Sequence, residues 1–256
     1  GWRFVNPRLD SLYGTEGMGK TAENLAEKFN INRYDQDLFA YNSQMKAAEA
    51  NKKGRFKKEI VTVEIPQRKK DSIFFSEDEF IKPQTSIEIL SKLKTVFKEN
   101  GTVTAGNSSG LNDGAAAMLL ASNKAVKKYD LKPLAKIISS AVVGVEPRIM
   151  GIGPVEASKK ALKKANLSIN DMDIIELNEA FSAQALACIR ELGLKDNDKR
   201  INPNGGAIAL GHPLGASGTR IIQTAALELQ QKNKKYALIT MCIGVGQGYA
   251  TIIKSE

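Results

Sequence analysis

A chain of 256 residues with 42% hydrophobic and 25% charged residues is long enough for one large or two ordinary globular domains. No run of about 18 apolar residues occurs, so no bilayer-spanning helix is expected, and a single histidine with two distant cysteines leaves no usual zinc site. The net charge of +9 favours an anionic ligand, but the positives sit in small clusters (52–58, 68–70, 232–235) without an RNA-binding pattern of aromatics, so nucleic acid is not an expected partner. With no secretory leader visible and no disulfide framework, a reducing cytoplasm is the expected setting. Because the chain starts at Gly1 rather than Met, a longer protein is expected to precede it.

Residues 1–7 read as an extended or turn segment. Met18 to Thr21 leads into a helix, with Thr21 as N-cap and Ala22, Leu25, Ala26 and Phe29 on one face. A second helix begins near Asn32 or Arg33 and carries Leu38, Phe39, Tyr41, Met45 and Ala48. Residues 59–66 alternate as a strand ended by Pro66. Residues 71–85 read as a polar loop, and 86–93 as a short helix. The texture changes near Gly110, which gives an expected division into residues 1–110, an elaborated loop domain, and 111–256, a layered α/β domain. The second part reads as a helix over 113–128, a strand over 133–143, a loop over 147–153 and a helix over 154–165 with proline at its start. A buried strand over 173–177, a helix over 179–192, a Gly-rich loop over 202–218, a helix over 216–231 and two strands over 236–242 and 249–253 complete it.

In such domains chemistry gathers in loops at strand ends. Three loops each set a polar or reactive side chain beside permissive backbone. His212, the sole histidine, lies between Gly211 and Pro213, as a positioned acid/base or as an imidazole satisfied by backbone. Cys242 ends an apolar strand and is followed by Gly244, Gly246 and Gly248. It reads as a small buried hydrophobe, or as a base or nucleophile where alternating glycines let a ligand or another backbone approach. Asn178 and Glu179 open a helix, and by themselves read as a helix cap and a first-turn acid. Cys188, mid-helix among alanines, reads as core.

Asn178-Glu-Ala-Phe, Asn204-Gly-Gly-Ala-Ile-Ala-Leu-Gly-His-Pro-Leu-Gly-Ala-Ser-Gly218 and Cys242-Ile-Gly-Val-Gly-Gln-Gly248 together resemble the signature blocks of the thiolases. Gly101-Thr-Val-Thr-Ala-Gly-Asn-Ser-Ser-Gly-Leu-Asn-Asp-Gly114 and Met18-Gly-Lys-Thr-Ala-Glu-Asn24 are similar to two further blocks, so the resemblance covers essentially the whole chain. It implies a thiolase fold, here its C-terminal α/β half with a mixed sheet plus the loop domain. The opening Gly1-Trp-Arg-Phe4 and the closing Met241-Cys-Ile-Gly-Val-Gly-Gln-Gly248 look most like thiolases that cleave 3-oxoadipyl-CoA in aromatic-compound degradation. The family's Cys-Ala-Ser-Gly-like nucleophile block is not found, which implies a chain lacking the nucleophile-bearing half and inactive by itself.

The resemblance also assigns roles. His212 would take the proton of the acyl-accepting cysteine, and Cys242 would shuttle a proton to and from the α-carbon. Asn178 would fix a water that completes an oxyanion hole with His212, and the Gly244 N–H would serve a second hole. Lys82, Leu93, Val96 and Phe97 would surround the nucleotide of coenzyme A, and Ala105 and Ser109 its pantetheine. Met18, Met150 and Phe181 would line the acyl end. Gly17 stands where many thiolases have histidine, which argues against acetoacetyl-CoA and for a different or longer acyl chain. Coenzyme A is expected as substrate, with no prosthetic group and no metal, in a homodimer or homotetramer. Two alternatives are a thiolase of other acyl specificity and a non-catalytic CoA-binding module. A phosphate loop over 205–218 lacks the Gly-Lys-Ser/Thr that such loops need.

Overall fold

The computed structural model describes residues 4–256. Its first part is more regular than the sequence suggests. Helix α1 (Pro7–Tyr13) starts at a proline, and the Asn6 side chain accepts from the N–H groups of Arg8 and Leu9. The extended reading of residues 1–7 therefore ends in a helix cap, and residues 1–3 lie outside the described part. Helix α2 (Met18–Lys28) is capped by Gly17 rather than Thr21, whose hydroxyl instead donates to Met18 O at 2.7 Å from inside the helix. Helix α3 (Arg33–Lys52) is capped by Asn32. Strand β1 (Val63–Ile65) pairs antiparallel with β2 (Ile73–Phe75), a strand hidden in the stretch read as polar loop. The short α4 (Ile87–Ser91) is capped by Ser86.

The helix expected over 113–128 forms only at its end, as α5 (Asn123–Lys128). Residues 111–122 have no regular structure and, apart from half-buried Asn112, are exposed, Leu111 by 87% and Leu119 by 81%. At their start a Cβ on Gly114 would lie 2.7 Å from the Pro213 ring, so the segment is seated on the His212 loop there. Alanine-rich composition alone does not hold a helix that packs against nothing.

A four-stranded sheet organises the rest, in the order β3 (Ala135–Gly144), β6 (Gln247–Ser255), β5 (Tyr236–Ile243), β4 (Ile174–Leu177). The β3/β6 and β6/β5 pairs are antiparallel and β5/β4 is parallel, so the sheet is mixed. Successive residues of a strand face opposite layers. Ile175, Leu177, Leu238 and Ile252 pack with α6 (Gly153–Ala165) and α7 (Ser182–Glu191). Ile174, Ala237, Ile239 and Ile253 pack with Ile221, Ala225 and Leu229 of α9 (Ser217–Gln231). Inside the Gly-rich loop, residues Ala207–Leu210 form one further turn of helix, α8, which the sequence reading did not anticipate.

Candidate active site

The parallel β4/β5 pair brings the three loops to one end of the sheet. Asn178, the residue after β4, donates its backbone N–H to Thr240 O on β5 at 3.0 Å. Cys242 is two residues beyond Thr240, about 7 Å along the strand. Helix α7 begins at Ser182 and not at Glu179, so Asn178 to Phe181 are a free-standing turn and Asn178 caps no helix. A strap over residues 107–110 holds that turn. Ser109 N–H donates to Ala180 O at 3.0 Å, Ser182 N–H to Asn107 O at 2.9 Å, and His212 N–H to Gly110 O at 3.0 Å.

The imidazole is held at Nδ1 and faces a more distant neighbour at Nε2. His212 Nδ1 lies 2.7 Å from Ser217 Oγ, and that hydroxyl donates its own proton to Pro213 O at 3.1 Å. With the hydroxyl proton assigned to Pro213 O, Ser217 accepts from the ring, and this assignment puts the proton on Nδ1 and the lone pair on Nε2. Nε2 faces Asn178 Nδ2 at 3.4 Å, a long contact. Asn178 Oδ1 is buried without a partner. Burial, followed by the positive charge of Arg220, holds the His212 pKa below its ordinary value, so the ring is neutral at pH 7. Burial has the opposite consequence for Cys242, pushing its thiol up to about 12 and keeping it protonated. The site thus pairs an imidazole ready to accept a proton with a thiol that holds one.

The glycines after Cys242 separate into two kinds. A Cβ on Gly246 (φ +87°) would lie 2.2 Å from Val145 O, and one on Gly248 would lie 2.1 Å from the Gly153 carbonyl carbon. These two are glycine because another stretch of backbone packs against them. Gly244 has nothing within 4 Å of such a Cβ, so protein packing does not explain it. Beside it Val245 takes φ +69°, a costly conformation for a β-branched residue.

The remaining expected site residues fall into groups. Phe97 and Phe181 meet edge to face, with centroids 6.1 Å apart, and Phe97 also covers Gly19, where a Cβ would be 2.2 Å from its ring. Val96 is exposed beside it, as is Ala105, while Ser109 is in the strap. Leu93 packs near Ile208 and Leu90. Lys82 stacks its ammonium 4.9 Å over Phe80, and its N–H donates to Gln44 Oε1 at 2.8 Å. Met18 meets Val245, Arg148 and Glu16 around a small pocket, so it stands beside the Cys242 turn; Met150 is buried. Sequence reasoning missed Ser217, whose signal was a hydroxyl at the helix start five residues after the histidine. Among the described residues no group of three or more His, Cys, Asp or Glu side chains could hold a metal, and no helix is long and apolar enough to cross a membrane.

A neutral imidazole, a protonated thiol and an open glycine turn thus gather at one end of the mixed sheet, and the comparisons with known proteins give the family. The thiolase C-terminal domain family matches residues 131–255 and the thiolase N-terminal domain family matches residues 4–124. The chain belongs to the thiolase family. Part of the N-terminal domain is therefore present, which corrects the expectation of a chain without it. Among its relatives is the beta-ketoadipyl-CoA thiolase of Acinetobacter baylyi, 61% identical over 254 residues, covering 99% of this chain and 63% of the relative. The 3-oxoadipyl-CoA/3-oxo-5,6-dehydrosuberyl-CoA thiolase of Escherichia coli K12 is 53% identical over the same shares. The chain thus spans 63% of the length of these relatives. The fold superposes on the crystal structure of the Bacillus anthracis acetyl-CoA acetyltransferase with TM-score 0.92 and 39% identity, over 100% of this chain and 66% of that one. It also matches human mitochondrial 3-ketoacyl-CoA thiolase in complex with CoA at TM-score 0.88 and 50% identity, over 93% of this chain and 59% of that one.

Proposed function

We propose that this chain supplies the proton-handling part of a thiolase that cleaves a 3-oxoacyl-CoA, with 3-oxoadipyl-CoA as substrate. The observation that carries the reading is the His212 ring, tied at Nδ1 by Ser217 and presenting a bare Nε2 to Asn178. In the reaction an acyl-accepting cysteine from outside these 256 residues loses its proton to His212 Nε2 and attacks the ketone carbon C3. The C2–C3 bond breaks with its electron pair on C2, and Cys242 gives its proton there, releasing acetyl-CoA. The incoming CoA thiol then restores the proton to Cys242 and attacks the acyl-cysteine. His212 returns its proton to the freed cysteine sulfur. Asn178 with a bound water, and the Gly244 N–H, stabilise the two oxyanions. Loss of one such donor costs about 100- to 1000-fold in rate.

The pKa directions support these roles, because the acceptor is neutral and the donor is protonated. The open space at Gly244 supports close approach of the thioester, and the open space at Gly17 supports a longer acyl chain than acetoacetyl. The two relatives named for 3-oxoadipyl- or beta-ketoadipyl-CoA support that acyl group. The residues expected around nucleotide, pantetheine and acyl chain keep those roles here, with residues 1–110 as the CoA-binding loop domain and 111–256 as the catalytic α/β domain. The assembly is a homodimer or homotetramer in the cytoplasm, where both thiols stay reduced. The test compares residues 1–256 with a longer chain that carries the acyl-accepting cysteine, assayed for CoA-dependent cleavage of 3-oxoadipyl-CoA. Turnover is expected in the longer chain alone. Turnover by residues 1–256, or none by either, rejects the proposal.

A further inference from the structure

Glu179 adjoins Asn178 yet takes no part in the chemistry above. Its side chain is 1% exposed, and both carboxylate oxygens are in use. Oε1 accepts from Asn202 Nδ2 at 2.7 Å; Oε2 accepts from Ser43 Oγ at 2.6 Å and from Ile208 N at 3.2 Å. Each partner belongs to a different piece of the site. Asn202 grips the end of β4, with its amide bonded to Leu177 N and to Leu177 O at 2.9 Å each. Ile208 lies in α8, the single turn that runs directly into Gly211 and His212. Its N-cap residue, Gly206, has no side chain to offer, and the Glu179 carboxylate takes that place. Ser43 belongs to α3 and also accepts from Gly206 N at 3.0 Å, so it ties the α8 entry to the carboxylate.

Two glycines of the loop follow from this arrangement. A Cβ on Gly206 would lie 2.2 Å from the Glu179 carboxyl carbon, and one on Gly205 (φ +80°) would lie 2.7 Å from Ala47 Cβ on α3. The double glycine lets the chain close around Glu179. Lys46, one turn after Ser43, donates to Ile201 O at 2.8 Å and adds positive charge near the carboxylate. Beside Glu179 a cavity of about 160 Å³ opens between α3 and residues 196–202. A side chain altered there has space into which to relax.

We infer that Glu179 is the positioning residue that sets His212 against Asn178, acting through α8 and the Ser43 hydroxyl. Asn178 is its chain neighbour and His212 lies two residues beyond the turn that it caps, so one buried carboxylate bears on both members of the 3.4 Å pair. This inference rests on the proposed thiolase roles for its kinetic consequence, but its structural consequence can be read without them. An imidazole displaced by about 1 Å loses about 100-fold in rate, so kcat falls by that factor while KM stays nearly constant.

The test uses Glu179→Gln, Ser43→Ala and the double variant in the protein expressed from its full reading frame, with ring-15N-labelled histidine assigned against His212→Asn. Both single variants are expected to move the His212 ring signals in the same sense and to lower kcat about 100-fold, and the double variant to do no worse than Glu179→Gln. Folded single variants with unchanged ring signals, or effects that add in the double variant, overturn the inference. If Glu179→Gln does not fold, Ser43→Ala alone decides, since it removes one hydroxyl from a helix face. If the parent protein shows no thiolysis but the ring signals respond, the inference stands and the proposed function fails.

Discussion

Ser217→Ala isolates the tautomer of His212 from everything else at the site. The Ser217 hydroxyl takes a hydrogen bond from Nδ1 at 2.7 Å and donates to Pro213 O at 3.1 Å. Pro213 O keeps two backbone donors in the variant, Ala216 N at 2.9 Å and Ser217 N at 3.0 Å, so no carbonyl is stranded. The loss on the imidazole side is one neutral hydrogen bond, about 1 kcal/mol net. At that value the ratio of the Nδ1–H to the Nε2–H tautomer falls about fivefold, because about 1.4 kcal/mol is tenfold. The stability cost is of similar size, so Tm falls by about 2–4 °C. Long-range 15N correlations of the ring report the tautomer directly, and in residues 1–256 the histidine is unique. The base-competent form is expected to lose share, and kcat for thiolysis in a chain bearing the nucleophile to fall by less than about fivefold, since the share changes less than the ratio. An unchanged tautomer ratio in a folded variant would refute the assignment of Ser217 as acceptor, and with it the free lone pair on Nε2.

Three further outcomes follow from the geometry. Gly244→Ala is expected to leave Tm within about 1 °C, because nothing lies within 4 Å of its Cβ, and to abolish most thiolysis; Gly248→Ala, whose Cβ would overlap the Gly153 carbonyl carbon at 2.1 Å, is expected to destabilise the fold instead. Thermal melts and activity together separate the two, and the reverse pattern defeats the distinction drawn between these glycines. Cys242→Ala in the nucleophile-bearing chain is expected to slow exchange of the acetyl-CoA α-protons into D2O by about 100- to 10,000-fold; exchange at the parent rate would assign that proton to another group. The depressed His212 pKa means that the unfolded chain binds the proton more readily than the folded one. Stability from the neutral ring is therefore complete above the unfolded value of about 6.5 and is lost as pH falls through the lower folded value. An NMR titration midpoint at or above about 6.5 contradicts the burial argument.

Much of the layered part was legible because its signals are local. The proline-started α6, the amphipathic α9 and the apolar β5 each carry their periodicity within a single stretch. The three motif loops were legible for the same reason, and the parallel β4/β5 pairing brings Asn178 and Cys242 to one end of the sheet. What was not legible depends on distant partners. Glu179 looked like a first-turn acid because nothing in its own stretch names Ser43 or Asn202, 136 and 23 residues away. Residues 113–122 looked helical because alanine content is a local property, whereas a helix needs a face to bury. Strand β2 was hidden by polar neighbours, since a two-stranded hairpin exposed on both faces lacks the in/out alternation that marks a half-buried strand.

The contact between Gly153 and Gly248 has a consequence for how such a protein can diversify. At the base of the β5–β6 turn two main chains touch with no gap for even a methyl group, so that spot is closed to evolutionary drift. A few residues away the tip around Gly244 borders empty space, and so does Gly17 at the entry to α2. A side chain at Gly17 therefore meets no steric bar from the protein, whereas the backbone that carries Cys242 into the turn leaves no room for change at Gly248.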